Sequence, residues 1–126
     1  MKEIIAIIRM NKVGETKRAL VRSGIHAMTA MKVMGRGKML KDVSVLENLK
    51  DQEELQGVLI DSLLKGGRLI PKRMLIICVS DEDVPKVVDT IISVNQSGNS
   101  GDGKIFVLPV TDVVRIRTGE RGEEAV

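Results

Sequence analysis

The sequence predicts an α+β fold, a ferredoxin-like βαββαβ domain with an antiparallel sheet and helices on one face. Two short β-branched runs, Lys2 to Arg9 and Arg73 to Ser80, each precede a stretch with helical apolar spacing. A further extended segment follows the first helix and another, Ile105 to Arg117, follows the second, so the order is strand, helix, strand, strand, helix, strand. A chain of 126 residues has room for one such domain, and residues 1–126 are read as that single unit.

Lys2 to Arg9 carries four isoleucines in a nearly unbroken apolar run, which suits a strand buried on both faces. Asn11 offers a helix cap, Val13, Leu20 and Val21 leave an apolar stripe, and Gly24 is the residue type favoured just past a helix end. From His26 to Met34 the chain reads as extended, although Ala27, Met28, Met31 and Val33 alternate only loosely. Arg73 to Ser80 is the third strand. Ser80 with Asp81-Glu82-Asp83 marks a helix start, because a capping hydroxyl and acidic residues both suit the positive end of the helix dipole. Val84, Val87, Val88, Ile91 and Ile92 then fall on one helical face. Ile105 to Arg117 is the last strand, and 119–126 is a polar tail expected to be loose unless a partner holds it.

Residues 36–70 form a connection of roughly 35 residues between strands 2 and 3, where about 4–6 is usual. Its middle, Val45 to Leu64, is irregularly helix-like and richly charged, and reads either as a local hairpin or short helix or as an arm that orders on a partner. A sheet with helices on one face leaves the other uncovered, and a chain this short has nothing left to cover it, so self-association is expected.

Composition removes several functions. Apolar residues make up 43%, yet there is one Phe and no Tyr or Trp. RNA-binding RRM domains share this element order but stack bases on sheet aromatics, and Phe106 stands alone. A net charge of +3 is too small an excess to imply nucleic-acid or membrane binding, though its sign suits small phosphate ligands. The single Cys78, inside an apolar run, is read as a small buried hydrophobe and permits no internal disulfide. No apolar stretch approaches the roughly 20 residues of a membrane span. The N-terminal run is interrupted by Arg9 and followed by a helix signal, unlike a signal peptide, so a cytoplasmic location is expected. His26 has no nucleophile or ligand grouping beside it and reads as structural; no paired carboxylates, activated Ser or Cys, or metal cluster point to an enzyme.

The chemistry concentrates in Ser97-Gly-Asn-Ser-Gly-Asp-Gly-Lys-Ile-Phe106. Glycines at 98, 101 and 103 let backbone N–H groups turn toward an anion, and Lys104 adds a positive charge. Arg115 and Arg117, two apart on the last strand, are expected on one sheet face, where planar guanidinium forks suit phosphates. Gly35-Arg-Gly-Lys38 closes the second strand with another basic turn. Each alone is an ordinary turn or edge; together they favour a polyphosphate ligand.

Here the residues resemble the PII signal-transduction proteins. Ser97-x-x-x-Gly-Asp-Gly-Lys-Ile-Phe-Val107 is similar to the family's nucleotide-binding B-loop. Arg115-Ile-Arg-Thr-Gly-Glu120 resembles its phosphate-contacting C-terminal strand, and Met28-Thr29 with Gly35-x-Gly37 its adenine side and T-loop base. The resemblance runs from Lys2 to Glu120, except for an enlarged T-loop, 36–70. It implies that Gly101, Asp102, Gly103, Lys104, Arg115 and Arg117 contact the phosphates of ATP or ADP, with Thr29, Gly35, Gly37 and Lys38 lining the rest of a cleft shared between subunits of a trimer. It implies 2-oxoglutarate at Lys72, and magnesium only as carried in with ATP.

The departures matter too. Lys38 replaces the usual Arg, and Met39 the Gln that helps hold magnesium beside 2-oxoglutarate. With no Tyr, T-loop tyrosine modification is impossible, leaving Ser44 or Ser62 as modifiable hydroxyls. An expanded, tyrosine-free T-loop is similar to the NifI branch, the second of its two paralogues in particular. That implies a homotrimer or a mixed oligomer with the paralogous NifI protein, acting on the dinitrogenase component of nitrogenase. The alternative within the family is a general regulator of an ammonium transporter or glutamine synthetase.

Overall fold

The computed structural model describes residues 1–37 and 69–126. Its elements are β1 (Lys2–Arg9), α1 (Val13–Arg22), β2 (Thr29–Gly35), β3 (Ile70–Val79), α2 (Val84–Asn95) and β4 (Lys104–Pro109). The four strands form one antiparallel sheet in the order β2-β3-β1-β4. This is the expected ferredoxin-like arrangement.

The side-chain period of 2 along a strand assigns the faces. Ile4, Ala6 and Ile8 of β1 and Leu75, Ile77 and Val79 of β3 are buried; with Leu20, Ile25, Val87 and Ile91 they make the core. Burial of one such side chain is worth about 1.5–3 kcal/mol. The expectation that β1 is buried on both faces does not hold: its alternate residues, Ile5 and Ile7, are only partly covered. They lie on the opposite face, in register with Ile76, Met74, Thr29, Met31, Phe106 and Lys104. Cys78 belongs to that face as well, opposite Glu3, and is half-buried rather than core; what burial it has pushes its thiol pKa up. His26 is exposed.

Helix α1 starts without help from Asn11, which sits in a single 3-10 turn, Met10–Lys12, and no side chain caps Val13. The turn absorbs the first amides by itself. The helix ends as the sequence implied. Gly24 takes φ +87°, its N–H reaches the Val21 carbonyl at 2.9 Å, and the Ile25 N–H reaches the Leu20 carbonyl at 2.9 Å, with Ile25 buried beyond it. This is a Schellman closure with its hydrophobic contact. Before α2, Ser80 precedes a 3-10 turn, Asp81–Asp83, and its hydroxyl donates to the Asp83 carboxylate at 3.3 Å instead of accepting from an amide. On α2 the buried stripe is Val87, Ile91 and Asn95; Ile92, grouped with the core by spacing, is 41% exposed.

Two strands differ in extent. β3 begins at Ile70, ahead of Arg73, and β2 begins at Thr29, after His26. The larger difference is β4, which stops at Pro109 rather than Arg117. Lys2 is the last β1 residue in its ladder, opposite Pro109, and the Met1 carbonyl takes the Val110 N–H at 3.2 Å. Past that register position β1 offers nothing alongside to pair with. Residues 113–122 instead fold into a small hairpin, with a bridge between Val114 and Arg121 and the Gly122 N–H on the Val113 carbonyl at 2.9 Å. The tail is accordingly folded back rather than loose. Lys38, Met39, Ser44, Ser62 and the 45–64 pattern lie outside the described residues.

Candidate functional site

Helix α2 ends at Asn95, and β4 begins at Lys104. Between them the 97–103 loop is organised by Asp102. Its carboxylate accepts from the Ser97 N–H at 2.7 Å, the Gly98 N–H at 3.0 Å, the Ser97 hydroxyl at 2.5 Å and an Arg9 Nη1 at 2.5 Å. The Ser97 hydroxyl and amide foremost, then Arg9, hold the Asp102 carboxyl well below the usual carboxylate range, because each bonds the charged form. Gly98, Gly101 and Gly103 take φ +83°, +96° and +112°, a region that favours glycine. The expectation that loop amides turn toward an anion is met in one respect by the protein itself: the Ser97 and Gly98 amides turn toward Asp102.

Two cations fasten this loop to the sheet. Arg9 and Lys72 stand directly opposite each other at one end of β1 and β3. The second Arg9 terminal nitrogen donates to the Ser100 carbonyl at 3.0 Å, and Lys72 Nζ donates to the Gly101 carbonyl at 2.8 Å. Desolvation first, and the neighbouring Arg9 second, lower the Lys72 pKa. Arg9 did not stand out in the sequence as a site residue. The signal that could have found it is a cation closing the apolar run Ile4–Ile8.

The remaining predicted residues divide into groups. Gly35 pairs with Ile70 at the same end of the sheet as Arg9 and Lys72, with Gly37 two residues beyond it, and Lys104 lies opposite Ile7. Thr29 is nearer the middle of the sheet, opposite Ile76, and exposed. Arg115 and Arg117 are not on a strand, so the shared-face argument for them fails. Arg115 donates to the Glu120 carboxylate at 3.3 Å and the Glu124 carbonyl at 3.1 Å, while Arg117 is exposed in the turn after it. Their hairpin adjoins the Met1 end of β1, where Glu123 comes within 3.7 Å of the terminal ammonium. The glycine loop is at the Arg9 end, roughly 20 Å of strand rise away. Within one chain, therefore, the fold does not bring Lys104 together with Arg115 and Arg117.

A groove of about 500 Å³ opens beside the loop between α2 and the start of β4, with Val88, Ile92, Gln96, Gly103, Lys104 and Ile105 among its walls. None of Thr29, Gly35 or Lys72 lines it. Among the described residues no group of three or more His, Cys, Asp or Glu could hold a metal ion, and no helix is long and apolar enough to cross a membrane.

Comparison with known proteins gives one consistent result. Residues 1–120 match the family described as Nitrogen regulatory protein P-II. The chain is 49% identical over 126 residues, covering both chains fully, to a Methanococcus maripaludis protein named nitrogen fixation nifHD region glnB-like protein 2. It is 46% identical over 129 residues to a protein with the corresponding name from Methanobacterium ivanovii, covering all of this chain and 99% of that one. Among solved structures, an Arabidopsis thaliana PII bound to citrate superposes with a TM-score of 0.71 at 33% identity, covering 98% of this chain and 87% of that one.

Proposed function

The chain belongs to the nitrogen regulatory protein P-II family, in the branch of nif-region GlnB-like proteins, and from that premise we propose that it senses nucleotide and 2-oxoglutarate to control nitrogenase by direct binding. P-II proteins are regulatory signal proteins, so the chain is read as a regulator in the cytoplasm and not as a catalyst. ATP or ADP would take its phosphates to the glycine loop, with Gly101, Asp102, Gly103 and Lys104 on one side and Arg115 and Arg117 on the other. Those arginines stand at the far end of their own sheet, so they reach the loop only from a neighbouring protomer. That requirement, together with the uncovered apolar sheet face, favours a trimer, either of this chain alone or mixed with its paralogue.

Thr29, Gly35, Gly37 and Lys38 would complete the cleft. Lys72, already at the loop, would pair with a carboxylate of 2-oxoglutarate; the plant relative solved with citrate supports a small-carboxylate effector in this family. Magnesium would enter with ATP, although Met39 lacks the amide oxygen that a metal-bridged effector would use. The 36–70 connection would act as the T-loop that meets the dinitrogenase component, and the effectors would bias its arrangement.

The observation that carries this reading is the 97–103 loop, held by Asp102 against the paired cations Arg9 and Lys72 with Lys104 next to it. Titration calorimetry with ATP and ADP tests it, on the wild type and on Arg115→Ala/Arg117→Ala. Binding that the double variant weakens at least tenfold is expected; absence of heat in the wild type would refute the nucleotide role. Co-purification with dinitrogenase that 2-oxoglutarate plus ATP dissolves would support the target. A second reading, a general nitrogen regulator acting on an ammonium transporter or glutamine synthetase, draws on the Methanothermobacter thermautotrophicus relative at 46% identity named simply nitrogen regulatory protein P-II 2.

A further inference from the structure

Arg9 and Lys72 are like charges directly opposite each other on neighbouring strands, an arrangement that costs stability unless anions or carbonyl dipoles face it. Among the described residues, the loop supplies the opposing groups: the Asp102 carboxylate and the Ser100 carbonyl for Arg9, and the Gly101 carbonyl for Lys72. A trans peptide points its C=O and the following N–H in opposite directions. A Ser100 carbonyl aimed at Arg9 therefore turns the Gly101 N–H away from the sheet cations, and a Gly101 carbonyl aimed at Lys72 does the same to the Asp102 N–H.

Residue 101 is confined by the same pair. Its φ is +96°, and a Cβ there would stand 3.2 Å from an Arg9 terminal nitrogen and 3.6 Å from Lys72 Nζ. The planar Arg9 fork spans two acceptors at once, Asp102 and the Ser100 carbonyl, which a lysine ammonium on a flexible stem does less well.

We propose that Arg9 is the positioning residue of the glycine loop: by gripping Asp102 and the Ser100 carbonyl together it fixes the 100–101 peptide plane, so that the Gly101 N–H is presented outward to an incoming phosphate. The inference rests on the nucleotide reading given above. It names the residue that pre-organises that site without touching the ligand. Pre-organisation improves affinity by removing the cost of ordering the loop on binding.

Two measurements separate this inference from the nucleotide reading itself. In the ligand-free protein, hydrogen exchange at the Ser97 and Gly98 amides reports the Asp102 grip directly. Arg9→Ala is expected to speed exchange there at least tenfold while core amides such as Ile77 keep wild-type protection, with Arg9→Lys in between. Unchanged exchange at 97 and 98, or an equal acceleration at Ile77, would overturn the proposal whether or not nucleotide binds. In the second arm, ADP affinity is expected to fall roughly tenfold or more in Arg9→Ala, the usual consequence of losing a charge-assisted contact. Arg9→Lys is expected to recover part of it, and Arg9→Ala/Asp102→Asn to bind no more weakly than the weaker single variant. Wild-type ADP binding that Arg9→Ala leaves intact would overturn the positioning role alone, whereas a wild type that binds no nucleotide but shows the exchange effect would overturn only the functional reading.

Discussion

Gly103 lies so close to β1 that a Cβ built on it would stand 1.8 Å from the Ile7 carbonyl oxygen. Neither partner can give way, since that oxygen is backbone in a central strand and residue 103 has φ +112°. Gly103→Ala is expected to cost about 1–3 kcal/mol from strain alone and more with the clash, read as a lower urea midpoint. Gly98→Ala is the control, with positive φ but nothing within 4 Å of its Cβ. Equal losses in the two variants would mean that close approach to Ile7 is not what excludes a side chain at 103.

The helical stripe on α2 divides into core and surface. Ile91→Ala, at 1% exposure, is expected to cost about 2–5 kcal/mol in chemical denaturation. Ile92→Ala is expected to cost well under half as much in an isolated protomer. If concentrated protein shows Ile92→Ala as damaging as Ile91→Ala, the groove beside β4 is covered in solution.

Helices α1 and α2 are joined by a buried polar relay. Asn95 Nδ2 donates to the Thr16 hydroxyl at 3.0 Å and to the Ile91 carbonyl at 2.9 Å, and the Thr16 hydroxyl donates to the Lys12 carbonyl at 2.6 Å. Thr16→Val is expected to destabilise by about 1–3 kcal/mol, because it strips one buried acceptor from Asn95. Asn95→Leu in that background should cost less than in the wild type. Strict additivity in this double-mutant cycle would show that the relay is not a unit.

Acid should loosen the glycine loop before it unfolds the sheet. The Asp102 pKa is lowered in the fold, so its contribution is fully present above the unfolded carboxylate range near 4 and disappears as pH falls through the lower folded value. Amide exchange at Ser97 and Gly98, corrected for intrinsic rates, is expected to accelerate below pH about 4. In Asp102→Asn that acid step should vanish. An identical profile in the variant would assign the step to another carboxylate, Asp81 being the first to examine because the Met1 ammonium and Lys2 lower its pKa as well.

Much of the fold was legible because period and punctuation agreed. The β-branched runs, the α2 stripe and Gly24 each pointed to one local answer, and the sheet order follows from the element order. What escaped was tertiary. Nothing local distinguishes Ile91 from Ile92, or tells β1 that only one of its apolar faces is covered within the protomer. The end of β4 was misread because Val113 to Ile116 has strand-forming residues, while the reason to stop, the exhaustion of β1 as a partner at Lys2, lies more than a hundred residues away in sequence. In the site, the glycine loop and Lys72 were readable from residue type and resemblance. Arg9 was not, because its role depends on a carboxylate and a carbonyl from the opposite half of the chain.

β1 precedes β3 and β4 in the chain, yet sits in the interior of the sheet between them. On the ribosome it therefore emerges with neither neighbour available, and one of its two ladders cannot close until Lys104–Pro109 has cleared the exit tunnel. Nascent chains arrested short of that strand should remain protease-sensitive, and folding of this domain waits on its fourth strand instead of proceeding by gradual growth.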